Sequence, residues 1–308
     1  MKIVRKICQI INHHIIYRTK WWDTFWGGTT KFWNIKEFDL QVVNLGSNSG
    51  KHSFCYEGIP VKGQNWAIGP QSLVHDFNLL KNYFSYIGQR GIVLIPLSPF
   101  SGRFSSYERA NRFKYYPILH PATIEGFEDS ERTKAYRIKS NPIKEIPLKC
   151  MKATIKEWLQ IVRNKLKGEN RQFDFEKDAH KWIDLWMKQF KLKSLETSLN
   201  TEEKGQLDSR AATLKNIIEF CIDRDLKPYI VIPPVHVELS SLFSDVCKKQ
   251  NIYQLIQKAI GDKDIVLDYF ADTRFQKDEY FQNAYFMNKM GAETFTQQVL
   301  KDIGLTQP

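Results

Sequence analysis

The stretch Val42-Val43-Asn44-Leu45-Gly46-Ser47-Asn48-Ser49-Gly50 decides the fold. The apolar run Leu40, Val42, Val43 and Leu45 predicts a buried strand, and the Gly/Ser/Asn series after it predicts a tight turn. In an α/β sheet, ligands bind at the carboxyl ends of strands, and nucleophiles stand on such turns. Gly46 permits the turn, and Asn48 is expected to project above the sheet edge.

Working outward, further strands are expected over 61–67, 92–97, 229–232 and 265–268. The run Ile92-Val93-Leu94-Ile95-Pro96-Leu97 is continuous and β-branched, as in a strand buried on both faces. Helical spacing marks 71–86 (Leu73, Phe77, Leu80, Phe84), 150–167, 176–190, 208–225 and a last helix after Gly291. The sum is four or five parallel strands with crossover helices, a doubly wound α/β fold. Residues 1–36 form a basic, aromatic lead segment before a domain of 37–308. From about 100 to 207 strand signals thin out and prolines mark loops, which predicts a helical insertion. Residues 192–208 are polar and expected to be a loop.

The 308 residues suffice for a full core, and 42% are hydrophobic. The net charge of +11 admits an anionic partner, but the lysines are spread along expected helices and read as solvated faces. Zinc-finger, RNA-recognition and basic-region patterns are missing, so nucleic acid is not expected. The turn lacks the Walker lysine and the GxGxxG spacing, and HExxH, EF-hand and other metal-ligand spacings do not occur. No cofactor and no metal are expected. Cys8, Cys55, Cys150, Cys221 and Cys247 are scattered without a CxxC pair, which predicts free thiols in a reducing cytosol. The N-terminus does not follow the pattern of a secretion signal, and no apolar run has transmembrane length, so a cytoplasmic location is expected. Trp21, Trp22, Phe25, Trp26, Phe32 and Trp33 follow a basic stretch; they either lie on a membrane surface or pack inward, and packing is the expectation.

Two segments resemble one known family. Phe281-Gln282-Asn283-Ala284-Tyr285-Phe286-Met287-Asn288-Lys289-Met290-Gly291-Ala292-Glu293-Thr294-Phe295-Thr296 is similar to the terminal motif of SGNH (GDSL-type) esterases and acyltransferases, Asp-x-x-His-hydrophobic-Asn-x-x-Gly-Ala-x-x-Phe-Thr. The Gly46-Ser47-Asn48 turn resembles the Gly-x-Ser turn of that family's nucleophile, and Asn65-Trp66-Ala67-Ile68-Gly69-Pro70 resembles its second block, whose backbone helps form the oxyanion hole. The resemblance spans roughly residues 38–100 and 205–305. It implies a flavodoxin-like three-layer α/β/α sandwich, and a bacterial setting in surface-polysaccharide synthesis or acylation.

Set on the family's pattern, the triad positions are substituted: serine is Asn48, aspartate is Asn283 and histidine is Phe286, while Asn288, Gly291, Ala292, Phe295 and Thr296 are kept. A serine needs a base to become a nucleophile, and the base needs an orienting carboxylate. Phenylalanine accepts no proton and asparagine carries no charge, so a Ser-His-Asp mechanism is not expected at these positions. The expected function is therefore a degenerate or atypical SGNH-like protein that binds a saccharide or acyl acceptor in a crevice of Gly46, Asn48, Asn65, Gly69, Ser98 and His236. One alternative is an active carbohydrate esterase or O-acyltransferase. It would use Ser47 or Ser49 with His236, itself paired to Glu238 or Asp268; His52, His75 and His120 are further bases. Another alternative is a membrane- or partner-docking protein. The Trp158/Trp182/Trp186 set is expected in the core rather than as a sugar platform, and Tyr115 and Tyr116 on loop surface.

Overall fold

A computed structural model of the chain describes residues 2–103, 112–167, 173–261 and 264–306. In chain order its strands are β1 (Leu40–Asn44), β2 (Gly63–Asn65), β3 (Ile87–Pro96), β4 (Lys227–Ile232) and β5 (Val266–Asp268). The helices are α1 (Lys2–His14), α2 (Lys20–Trp26), α3 (Asn48–Ser53), α4 (Leu73–Tyr83), α5 (Asp129–Ser140), α6 (Pro142–Glu145), α7 (Pro147–Lys167), α8 (Phe175–Gln189), α9 (Thr201–Ile222), α10 (Val237–Ser240), α11 (Asp245–Lys248), α12 (Gln254–Ile260) and α13 (Lys289–Asp302).

The described residues divide into two compact units, one of 37–108 and 173–308, the other of 1–36 and 109–172. A cut falls between 36 and 37, where the expected division also lies, but the expected insertion at about 100–207 is itself divided. The lead segment does not stand alone but forms a unit with 109–172, and 173–207 belongs with the sheet.

In the larger unit the strands form one sheet in the order β2-β1-β3-β4-β5, every neighbouring pair parallel. A parallel sheet needs a crossover between strands and cover on both faces. β3 is central, and its last six residues, Gly91 to Pro96, are buried. On one face Val42, Ile92, Leu94 and Val231 pack with Phe295, Val299 and Leu300 of α13 and with Phe54. Alternate residues Val43, Val93, Ile95, Ile230 and Ile232 point the other way and are also buried. α9 packs on both α4 and α12 as a further helical layer. The arrangement is α/β and consistent with three layers.

Local chemistry explains the helix boundaries. Asn288 caps α13 by accepting from the Gly291 N–H at 3.0 Å. α9 begins at Thr201, inside the stretch expected to be a loop. Asn200 and Glu203 close a capping box there, with reciprocal bonds of 2.9 and 2.8 Å. On α4 the buried side is His75, Asp76, Asn78, Leu79 and Leu80, whereas Phe77 and Phe84 are only half-buried. Of the expected stripe Leu80 is buried and Leu73 is also half-buried, while polar His75, Asp76 and Asn78 share the buried side.

In the smaller unit Trp22, Trp26 and Phe32 are buried, so the lead aromatics do pack inward. Tyr115 and Tyr116, expected on loop surface, are buried there too. Trp158 is exposed, and it lies in a different unit from Trp182 and Trp186.

Candidate functional site

The carboxyl ends of β1, β2 and β3 converge in the larger unit on a crevice of about 390 Å³. Its floor comes from the turn after β1 (Ser47, Asn48, Ser49), the segment after β2 (Pro70 to Leu73) and the end of β3 (Pro96 to Ser98). Trp182 and Trp186 of α8, with Tyr285 and Phe286 before α13, make an aromatic wall. Asp76 of α4 and Arg210 of α9 also line it.

The turn is built around Gly46. Its φ of +108° is a left-handed conformation that side chains rarely adopt, and a Cβ there would also stand 3.3 Å from Pro96. The Gly46 N–H donates to Asp76 Oδ1 at 2.6 Å, and the Gln71 amide donates to the same oxygen. Asp76 is buried, and desolvation raises its carboxyl to about 7 against the pull of those two donors.

Asn48 lies at the start of α3 and lines the crevice. Its Oδ1 lies so close to Gly69 that a Cβ built on Gly69 would sit 1.7 Å from it. Ser47 Oγ accepts from the Gln71 N–H at 3.0 Å, tying the turn to the segment after β2. Ser49 is buried, and it and Ser98 both hydrogen-bond the Tyr285 hydroxyl. Part of the Tyr285 ring reaches solvent, but its hydroxyl end is buried, which pushes the phenol well above its ordinary value.

Phe286 shares the crevice with Asn48 and packs on Trp182 and Tyr285, with ring centroids 5.4 and 4.4 Å away. Asn283 stands behind them. Its Oδ1 accepts from the N–H groups of Tyr285 and Phe286 at 3.0 and 2.8 Å, an Asx turn that fixes the aromatic pair. Its role here is to hold backbone.

Of the expected crevice, Asn48 and Ser98 line the cavity; Gly46 and Gly69 adjoin it in sequence without lining it, and Asn65 and His236 serve elsewhere. Asn65 is a clamp: its Nδ2 donates to the carbonyls of Gly50, Lys51 and Phe54 at 3.1, 3.2 and 2.8 Å. Its Oδ1 accepts from Asn44 Nδ2 and the Ala67 N–H at 2.9 and 3.0 Å. The side chain thus satisfies the orphan carbonyls at the end of α3. His236 is absent from the lining. Its Nδ1 accepts from the Glu238 N–H at 3.3 Å, so Nε2 bears the hydrogen and meets Asp278 Oδ1 at 3.0 Å. Its ring stacks on Phe175 at 4.0 Å. With both nitrogens engaged, His236 has no position from which to activate Ser47 or Ser49. Asp268, the other expected partner, instead accepts from the Tyr253 hydroxyl at 2.6 Å.

A different serine–histidine contact borders the crevice. Ser72 Oγ lies 3.0 Å from Nδ1 of buried His75. Ser72 stands at the N-cap position of α4, with its hydroxyl on His75 three residues on and not on a backbone N–H, so the pair is one turn of a helix start. His52 packs at 4.6 Å on the outer side of Phe286, with its Nδ1 3.0 Å from the Gln282 amide. Cys55, Glu57 and Glu293 bring possible metal-ligating atoms within 4.8 Å of one another. The Lys289 ammonium already sits 2.6 Å from Glu57 and 3.7 Å from Glu293 and neutralises them.

Asp76, Gln71, Tyr285 and Arg210 were not foreseen from the sequence. The one available signal was an acid inside the apolar stripe of α4. No protein-family model and no curated protein matches this chain.

Proposed function

We propose that this chain is an SGNH-like protein whose crevice binds a saccharide or acylated glycan without Ser-His-Asp chemistry, in bacterial surface-polysaccharide synthesis. The observation that carries this reading is the crevice lining. One side is aromatic (Trp182, Trp186, Tyr285, Phe286), and the other offers hydroxyls and amides (Ser47, Asn48, Gln71, Ser98, Gln189). Sugar rings present apolar C–H faces edged by hydroxyls, and such a wall stacks the first while planar amides bond the second. Among the described lining residues there is no histidine to serve as a base. The strand order, the Gly46 turn and the Asn288-capped last helix support the family reading, which implies where the crevice should be.

The test is a titration of neutral and O-acetylated oligosaccharides, followed by tryptophan fluorescence and calorimetry. Trp182→Ala should weaken binding by roughly tenfold or more, as loss of an aromatic stacking face does. Binding that ignores Trp182 would reject the reading.

A second reading, ester hydrolysis, is favoured only by the 3.0 Å Ser72–His75 contact. It assigns Ser72 as nucleophile and His75 as base, and Ser72→Ala tests it directly.

A further inference from the structure

Two helices of the smaller unit are turned inside out. In α1 the buried residue is Asn12, flanked by half-buried Cys8 and Ile11 and bonded to Asn141 Oδ1 at 2.7 Å and to the Ile143 N–H at 3.1 Å. At 100° per residue, Ile3, Ile7 and Ile10 lie roughly 140–180° around the helix from Asn12. All three are at least half exposed, Ile3 to 75%. α7 repeats the pattern. Cys150 is buried, and Glu157 on the same side accepts from the Lys20 N–H at 3.0 Å. Leu148, Met151, Ile155, Trp158 and Leu159 fall within an arc of roughly 100° that faces solvent. Leu148 is 70% and Trp158 61% exposed. Lys149, Lys152, Lys156 and Arg163 occupy the arc beside that stripe.

Charge follows the same division. Residues 1–36 and 109–172 hold 22 Lys+Arg against 8 Asp+Glu, a net +14, while the other 208 residues hold 23 against 26, a net −3. The whole positive excess of the chain therefore belongs to the unit that carries the outward-facing apolar stripes.

We propose that this unit docks on the surface of an anionic lipid bilayer through α1 and α7. An interfacial helix sinks an aliphatic face below the headgroups and keeps lysines and arginines at their level, with tryptophan at the boundary. The stripes of Ile3/Ile7/Ile10 and Leu148/Ile155/Trp158, edged by basic residues, meet each requirement. A nucleic acid would engage the basic residues but leave the exposed isoleucines and leucine in water. No helix among the described residues is long and apolar enough to cross a membrane, so the contact is with the surface.

The experiment is co-sedimentation of the full chain with phosphatidylglycerol-containing vesicles and with pure phosphatidylcholine vesicles. Binding is expected to the first and to fall steeply in about 1 M salt, where charges are screened within about 3 Å. Lys149→Gln with Lys152→Gln and Lys156→Gln should lower partitioning by roughly 100-fold, about fivefold per lysine. Ile7→Glu and Ile155→Glu should each lower it by at least tenfold. These side chains are exposed, so unchanged near-ultraviolet circular dichroism should accompany the loss. Brominated lipid should quench tryptophan emission, and Trp158→Phe should remove most of that quenching. The proposal is overturned if the chain stays in the supernatant with anionic vesicles. It is equally overturned if the charge and isoleucine variants bind as wild type, or if Ile155→Glu instead dissolves a dimer of a chain that ignores lipid.

Discussion

Replacing Asp76 by asparagine should make stability less dependent on pH. In the folded chain the Asp76 carboxyl is buried under the Gly46 turn and is raised from 3.8 to about 7, first by desolvation, with the Gly46 and Gln71 donors opposing. In the unfolded chain it titrates near 3.9. The folded state therefore holds its proton more tightly. The stability this contributes is complete below about pH 4 and is lost as pH rises through about 7. Each pH unit in that window is worth about 1.4 kcal/mol, so between pH 5 and pH 8 the wild type should lose about 2–3 kcal/mol through this group. Both donors converge on Oδ1, and an asparagine oxygen can accept the same pair. Asp76→Asn should match the wild type below about pH 4, where the acid is neutral in both states, and its advantage should grow by about 2–3 kcal/mol between pH 5 and pH 8. Urea unfolding of both proteins at the two pH values measures the double difference, in which every other titrating group cancels. A difference below about 0.5 kcal/mol would mean that Asp76 ionises as an ordinary carboxylate and that the burial argument fails.

Other perturbations probe neighbouring parts of the site. Gly69→Ala should cost about 1–3 kcal/mol by driving a methyl into Asn48 Oδ1, and Asn48→Ala in the same chain should return most of it, as a double-mutant cycle in urea would register. Asn65→Ala removes three hydrogen bonds to the carbonyls at the end of α3 and two from Asn44 and Ala67, and should destabilise by about 2–3 kcal/mol, read from the shift in the urea midpoint. His236→Gln should lower thermal stability through lost stacking on Phe175 while leaving saccharide titrations unchanged, since the ring is outside the crevice. Short-chain nitrophenyl esters should not be hydrolysed above background; turnover abolished by Ser72→Ala would replace the binding reading with the esterase one.

What the sequence determined by itself was local. The β-branched run at 92–97 gave the central strand, because a segment buried on both faces has no polar side to spare. Gly46 marked the turn, as a left-handed φ demands, while the last helix, expected after Gly291, begins at Lys289, where the Asn288 side chain caps a nearby N–H. Even the missed start of α9 was written locally, in the Asn200 and Glu203 pair.

The tertiary structure decided which side chains meet. Asp76 joins residue 46, Tyr285 joins residues 49 and 98, and Asn65 reaches back to residues 50–54; these contacts bridge sequence distances that carry no periodic signal. Only the folded chain moves His236 out of the crevice and gives its nitrogens to Asp278 and Glu238. The tryptophans show the same division. Helical spacing makes Trp158 and Trp186 look alike, yet one is in water and the other against Phe100. An amphipathic pattern fixes which residues share a face of a helix, and only long-range packing determines whether that face turns inward or out.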